Sequence, residues 1–241
     1  MPQSTGHPHA HGPHQEEHFT GNAAVRDIVI GMADGLTVPF ALAAGLSGAV
    51  DTTTLIVTAG VAEIAAGSIA MGLGGYLAGR GEAEHYRHEL ARERREVQVV
   101  PQREEEEILE ILMPYGVREE TARAVVADLK QDPERWVQFM MRYELNLDEP
   151  HPTAARWSAL RIGLAYIAGG VVPLLPYILV EEAHTALLYS SAFTLVILFI
   201  FGFLKARLSG RKETAWRSAV ETTLIGGLAA ATAYAIANWL G

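Results

Sequence analysis

Cysteine is absent from this chain of 241 residues, which excludes disulfides, thiolate zinc sites and thiol catalysis. Basic residues are scarce and unevenly placed. None of the 19 Lys and Arg falls within residues 27–79, 162–204 or 218–241. A soluble globule spreads its basic side chains, so apolar stretches of this length without one point to a membrane protein carrying a soluble insert. The net charge of −9 speaks against a nucleic-acid partner, because phosphate binding needs a basic surface. Neither a nucleophile elbow nor a Gly-x-x-x-x-Gly-Lys phosphate loop is present. That argues against an ATP-driven pump, and no enzyme activity is expected.

Five apolar segments stand out: about Val25–Val50, Leu55–Gly79, Trp157–Val180, Leu187–Leu204 and Ala219–Leu240. Each is long enough to cross about 30 Å of hydrocarbon at about 1.5 Å per residue. The expected domains are a disordered His-rich tail over 1–24, transmembrane helices 1 and 2 over 25–80, a helical insert over 81–152, and transmembrane helices 3 to 5 over 153–241. The tail, with His7, His9, His11, His14 and His18, has neither a basic n-region nor a small-residue cleavage site, so it does not read as a signal peptide. Its histidines either capture metal weakly or have no function. Lys and Arg lie in the insert and in the 205–217 loop, whereas the turns at Asp51 and Glu181–Glu182 have none. The positive-inside rule puts the N-terminus, the insert and that loop in the cytoplasm and the C-terminus outside. An Arg-over-Lys bias, with no targeting segment, suggests a bacterial plasma membrane.

From Arg80 to Arg156 there are 18 acidic and 12 basic residues, so cations are the natural partners. Helices are expected over Glu82–Val97, continuing the second span, over Arg103–Met113, over Arg118–Lys130, and from Pro133, behind Asp132, to about Leu147. Glu93 and Glu96 share a helix face, and Glu104 and Glu107 repeat that spacing. Like charges this close need a cation or a basic partner, which Arg92, Arg94 and Arg95 offer the first pair. Met140, Met141 and Glu144 lie on the last helix. If these helices bundle, the carboxylates and thioethers converge into a transition-metal site. The other reading of such a charge run is a solvated face.

Asp34 lies inside the first apolar run, in Gly31-Met32-Ala33-Asp34-Gly35. A carboxylate at membrane depth is costly and faces a pathway or a partner. Burial disfavours its charged form, which suits a group that trades a proton for a cation. Glu63 and Met71 lie two turns apart in the second run, about 12 Å along the axis. Taken alone Met71 reads as core filler, but a thioether beside a carboxylate shifts preference toward a transition metal. Small-residue pairs such as Gly31/Gly35 and Gly75/Gly79 indicate close helix packing or dimerisation. Two Glu-x-x-His patterns, Glu82/His85 and Glu181/His184, fall on opposite sides of the expected membrane and so do not form a di-iron site.

The stretches Arg26-Asp27-Ile28-Val29-Ile30-Gly31-Met32-Ala33-Asp34-Gly35-Leu36-Thr37-Val38-Pro39-Phe40 and Ala62-Glu63-Ile64-Ala65-Ala66-Gly67-Ser68-Ile69-Ala70-Met71-Gly72 resemble the first- and second-helix signatures of the vacuolar iron transporter family. The likeness continues through Tyr76-Leu77-Ala78 and Phe139-Met140-Met141-Arg142-Tyr143-Glu144-Leu145. The resemblance implies an all-α membrane protein, a dimer, with five transmembrane helices and a cytoplasmic helical metal-binding domain inserted between helices 2 and 3. It implies proton-coupled export of ferrous iron from the cytosol. Asp34, Glu63 and Met71 are then expected on the transport path, and Glu93, Glu96, Glu104, Glu107, Met140, Met141 and Glu144 in the metal-binding domain. Fe²⁺ is the expected cargo and no cofactor is expected. Mn²⁺ is the main rival, and Co²⁺, Ni²⁺ and Zn²⁺ are further candidates. A membrane-anchored metal sensor or store, and a ferroxidase, are the readings from other classes.

Overall fold

The computed structural model describes residues 18–208, 210 and 212–240. His7, His9, His11 and His14 of the tail, and Arg211 of the basic loop, lie outside the described residues. Eight α-helices occur among the described residues: α1 His18–Ser47, α2 Thr53–Val99, α3 Pro101–Leu112, α4 Glu119–Leu129, α5 Pro133–Tyr143, α6 Ala154–Leu179, α7 Ala183–Leu208 and α8 Ala215–Leu240. The extended pairing among them is a single isolated bridge between Thr52 and Glu182. Five of the helices (α1, α2, α6, α7 and α8) are long and apolar enough to cross a membrane.

Helix α1 is described from His18, and its membrane-length apolar part, Ala23–Ser47, coincides with the apolar run expected from about Val25. The apolar run marks where hydrocarbon is tolerated. A helix already nucleated there propagates through the flanking polar residues at little cost. Helix α2 contains 47 residues, about 70 Å at about 1.5 Å per residue, more than twice the thickness of the hydrocarbon layer. Only its apolar part, Leu55–Gly79, suits a span; the remainder is the polar helix expected over Glu82–Val97.

The described chain divides into two compact units, one built from residues up to Ile69 and from Arg161 onward, the other from Ala70–Leu160. In the first unit two buried clusters form. One joins Ala43, Ile56, Ile64, Leu174 and Tyr177. The other joins Leu36, Phe40, Ala44, Leu198 and Ala230. Large apolar side chains such as Leu224, Ile225 and Leu228 on α8 remain exposed, as lipid contact requires. Pro39 lies inside α1, and Pro173 and Pro176 inside α6. Each removes one helical donor, and the Ser190 hydroxyl of α7 donates to the Pro173 carbonyl at 2.7 Å.

The second unit contains the distal part of α2 with α3, α4 and α5 around a core of Tyr86, Val97, Ile108, Val126, Leu129, Trp136, Val137, Met140 and Met141. Pro101 opens α3 at its first turn, where a missing N–H costs nothing. Asp132 caps α5, accepting the N–H groups of Glu134 and Arg135 at 3.2 Å each. Helix α5 ends at Tyr143 instead of running to Leu147. Asn146 adopts a left-handed backbone, φ 53°, which asparagine tolerates better than most residues. The Leu147 N–H then returns to the Met141 carbonyl at 2.8 Å.

Candidate metal centre

In the Ala70–Leu160 unit five acidic residues gather from three helices. Glu93 and Glu96 project from α2, Glu104 and Glu107 from α3, and Glu144 caps the C-terminus of α5. They form two triples that share Glu104: Glu93, Glu96 and Glu104, and Glu104, Glu107 and Glu144. Within each triple the ligand oxygens lie within 4.8 Å of one another. A divalent cation holds oxygens at about 2.0–2.6 Å, so two of its ligands stand at most about 4–5 Å apart. The spacing therefore fits one cation per triple.

The electrostatics are those of a cluster with more carboxylates than counter-charges. Glu93 is 1% exposed and Glu104 3%. One oxygen of each, Oε2, is buried with no hydrogen-bond partner. Burial, followed by the charges of Glu144 and Glu96, pushes the Glu93 carboxyl up to about 7. Burial and then Glu93 and Glu107 push Glu104 up to about 7 as well. Partial burial and the neighbouring Glu107 also raise Glu144. An orphaned carboxylate oxygen in a protein interior costs free energy, and two in one cluster need a reason other than stability.

The rim is better supplied. Arg103 Nε lies 2.9 Å from Glu107, Lys130 Nζ 2.5 Å from Glu105, and Arg94 grips Glu134 through two hydrogen bonds of 2.6 and 3.2 Å. Of the three arginines expected to offset Glu93 and Glu96, Arg92 is the one ion-paired to both. Among the described residues no ion pair reaches Glu104. Met140 and Met141 are fully buried beside Ile108, Trp136 and Val137 in the core of this unit, on the helix that leads to Glu144.

In the other unit, Glu63 on α2 is half-buried. It accepts a short hydrogen bond from the hydroxyl of Tyr166 on α6, and its Oε2 is buried without a partner. Two glycines make room for that tyrosine. A Cβ at Gly35 of α1 would overlap the Tyr166 carbonyl, and one at Gly67, a turn beyond Glu63, would stand 2.5 Å from the Tyr166 ring. Asp34, the neighbour of Gly35, is exposed on the single chain. Met71 is half-buried two turns beyond Glu63 and belongs to the Ala70–Leu160 unit.

Two residues here were not anticipated from the sequence. Tyr166 is one; a tyrosine inside an apolar run, with a hydroxyl that must find a partner, was the available signal. Asp27 is the other. It is 2% exposed, with Arg26 and Arg161 each at 3.6 Å, and the acidic residue at the very start of a span was the sign.

The VIT family model matches residues 25–238. The chain is 51% identical over 230 residues to "Vacuolar iron transporter 1" of Oryza sativa subsp. japonica, covering 95% of this chain and 90% of that protein. It is 50% identical over 225 residues to "Vacuolar iron transporter 1" of Arabidopsis thaliana, covering 93% and 89%. It is 40% identical over 227 residues to "Protein CCC1" of Saccharomyces cerevisiae, covering 90% and 69%.

Proposed function

The chain belongs to the VIT family, and from that premise we propose that it exports Fe²⁺ from the cytosol across a membrane in exchange for protons. The observation that carries the metal half of this reading is the five-carboxylate cluster with its two orphaned, buried oxygens. Relatives named as iron transporters supply the identity of the cargo. The cluster, together with the thioethers of Met140 and Met141, collects the ion on the cytoplasmic side. The Lys and Arg of the insert support that orientation, by the positive-inside rule.

Passage through the membrane belongs to Asp34 and Glu63, with Met71 retained as a path residue on the strength of the family signature. Glu63 has one oxygen held by Tyr166 and one left for a proton or a metal. Asp34 faces outward from the single chain, and an ionisable side chain facing hydrocarbon costs about 2.5–3.5 kcal/mol even on the most lenient scale. A second copy covering this face removes that cost, so the working form is a homodimer with Asp34 at the interface. Each carboxylate holds either a metal ion or a proton, and this exclusivity couples the two fluxes. The membrane in this reading is a bacterial plasma membrane.

The test is Fe²⁺ flux into proteoliposomes under an imposed pH gradient. Gradient-dependent flux in the wild type, abolished by Asp34→Ala, is the expected result. A folded, Fe²⁺-binding wild type without flux overturns the reading, in favour of manganese first and of a membrane-anchored sensor second.

A further inference from the structure

Arg92 alone among the described guanidinium groups contacts three carboxylates. Its Nη1 lies 2.8 Å from Glu89 Oε2, its Nε 3.2 Å from Glu96 Oε2 and its Nη2 3.5 Å from Glu93 Oε1. Helix geometry makes this possible, because positions 89, 92, 93 and 96 follow the i, i+3, i+4, i+7 spacing of one face. Two of the three carboxylates, Glu93 and Glu96, belong to the cluster assigned above to the metal. The third does not. Glu89 lies a turn before Glu93, in neither triple, and it makes the shortest of the three contacts.

The arrangement has two consequences for an incoming cation. The guanidinium occupies lone pairs on Glu93 and Glu96 that a metal would use. Its charge also sits where a divalent ion would be repelled. At the same time Glu89 gives the guanidinium an anchor outside the ligand set. That anchor is itself 12% exposed and faces His85 Nδ1 at 3.9 Å and His88 Nδ1 at 3.5 Å through its other oxygen. Arginine suits the role because its delocalised charge can leave two carboxylates while staying ion-paired with a third.

We propose that Arg92 is a displaceable counter-cation of the metal cluster: it neutralises Glu93 and Glu96 when the site is empty, and withdraws onto Glu89 when metal enters. It therefore holds the affinity below what the carboxylates alone would reach, which suits a domain that must hand its ion onward. The inference rests on the reading of the cluster as a metal site. Arg92 is a positioning residue in it and not a ligand.

The experiment is an anaerobic calorimetric titration of the full-length chain in detergent with Fe²⁺. Arg92→Gln is expected to tighten binding about tenfold. Glu89→Gln, which leaves the guanidinium no anchor but the cluster, is expected to weaken it about threefold. The double variant should bind like Arg92→Gln, because an anchor with nothing to hold has no effect. Circular dichroism checks that each variant keeps its helices. A merely structural Arg92 would lower the affinity when removed, so weaker or unchanged binding in Arg92→Gln overturns the proposal. Glu104→Gln separates the two layers. If it also leaves binding intact, the cluster is not the metal site. If it abolishes binding while Arg92→Gln changes nothing, the cluster stands and the counter-cation falls.

Discussion

Glu63 and Glu93 are the same side chain on the same helix, thirty residues apart, and their surroundings are opposite. Glu63 meets one tyrosine hydroxyl and no ion pair reaches it among the described residues. Glu93 meets an arginine and stands in a triple with Glu96 and Glu104. A neutral donor that orients one oxygen of Glu63 and leaves the other unpartnered adds no further charge to an apolar span. In a unit bordered by water, carboxylates can be oversupplied and then trimmed by arginines at the rim. Asp27 marks the contrast within the membrane unit itself. It is nearly as buried as Glu93, but Arg26 and Arg161 flank it, which suits a structural charge and not a travelling one.

The sharpest way to break this comparison is to neutralise one carboxylate in each unit. Glu63→Gln keeps the shape and loses the exchangeable proton, and Fe²⁺ flux should fall at least about tenfold, the scale of one charge-assisted contact in a rate. Glu93→Gln should reduce saturating flux by less than about threefold and raise the iron concentration needed for half-maximal flux. Equal losses in both would merge the two roles. Next in size is the packing that holds Tyr166 against α1. Gly35→Val drives a side chain into the Tyr166 carbonyl, at a cost of about 3 kcal/mol or more. It should be seen as loss of a single folded species on size exclusion, whereas Ala in place of the exposed Leu228 should leave the elution unchanged.

A pH series sharpens the description of the insert. Glu93 and Glu104 titrate at about 7 in the fold against an ordinary 4.5. Between those values the folded chain holds protons that the unfolded chain has lost, so the unfolded state binds fewer protons. Their stabilising contribution is complete below about 4.5 and is lost as pH rises through about 7. The metal-free protein should therefore melt at lower temperature at pH 8 than at pH 5, and Fe²⁺ should reverse the trend, because deprotonation is what admits metal. A Glu93→Gln, Glu104→Gln double variant should flatten the curve. If the wild-type curve is already flat, the two carboxyls are not perturbed. The smallest expected effect concerns the scaffold. Asp132→Ala removes the α5 cap and should cost about 1 kcal/mol, read as faster amide exchange in α5. Arg94→Ala breaks an exposed pair and should leave the melting temperature almost unchanged.

Local chemistry along the chain was enough for a large part of this description. The five spans, the long second helix, the breaks at Pro101 and Pro133, and the cap at Asp132 are properties of neighbouring residues. Hydropathy, the missing N–H of proline and a capping carboxylate act within one or two turns. The i, i+3 spacings also placed Glu93 beside Glu96 and Glu104 beside Glu107. What local chemistry could not contain is any relation between distant segments. Tyr166 and Glu63 are 103 residues apart in sequence, and they meet only because glycines at 35 and 67 let helices close on the tyrosine. The turn at Asn146 depends on a backbone return that hydropathy does not encode.

The sequence by itself determined the class of molecule and the stock of donors: an acidic, cysteine-free chain of membrane-length helices with carboxylates and thioethers in place of thiols. Tertiary structure alone decided which carboxylates meet, which oxygens are orphaned, and which arginine stands between them. Composition and periodicity are sums over near neighbours. Burial and counter-charge, in contrast, depend on how each helix is rotated against its neighbours, and packing sets that rotation.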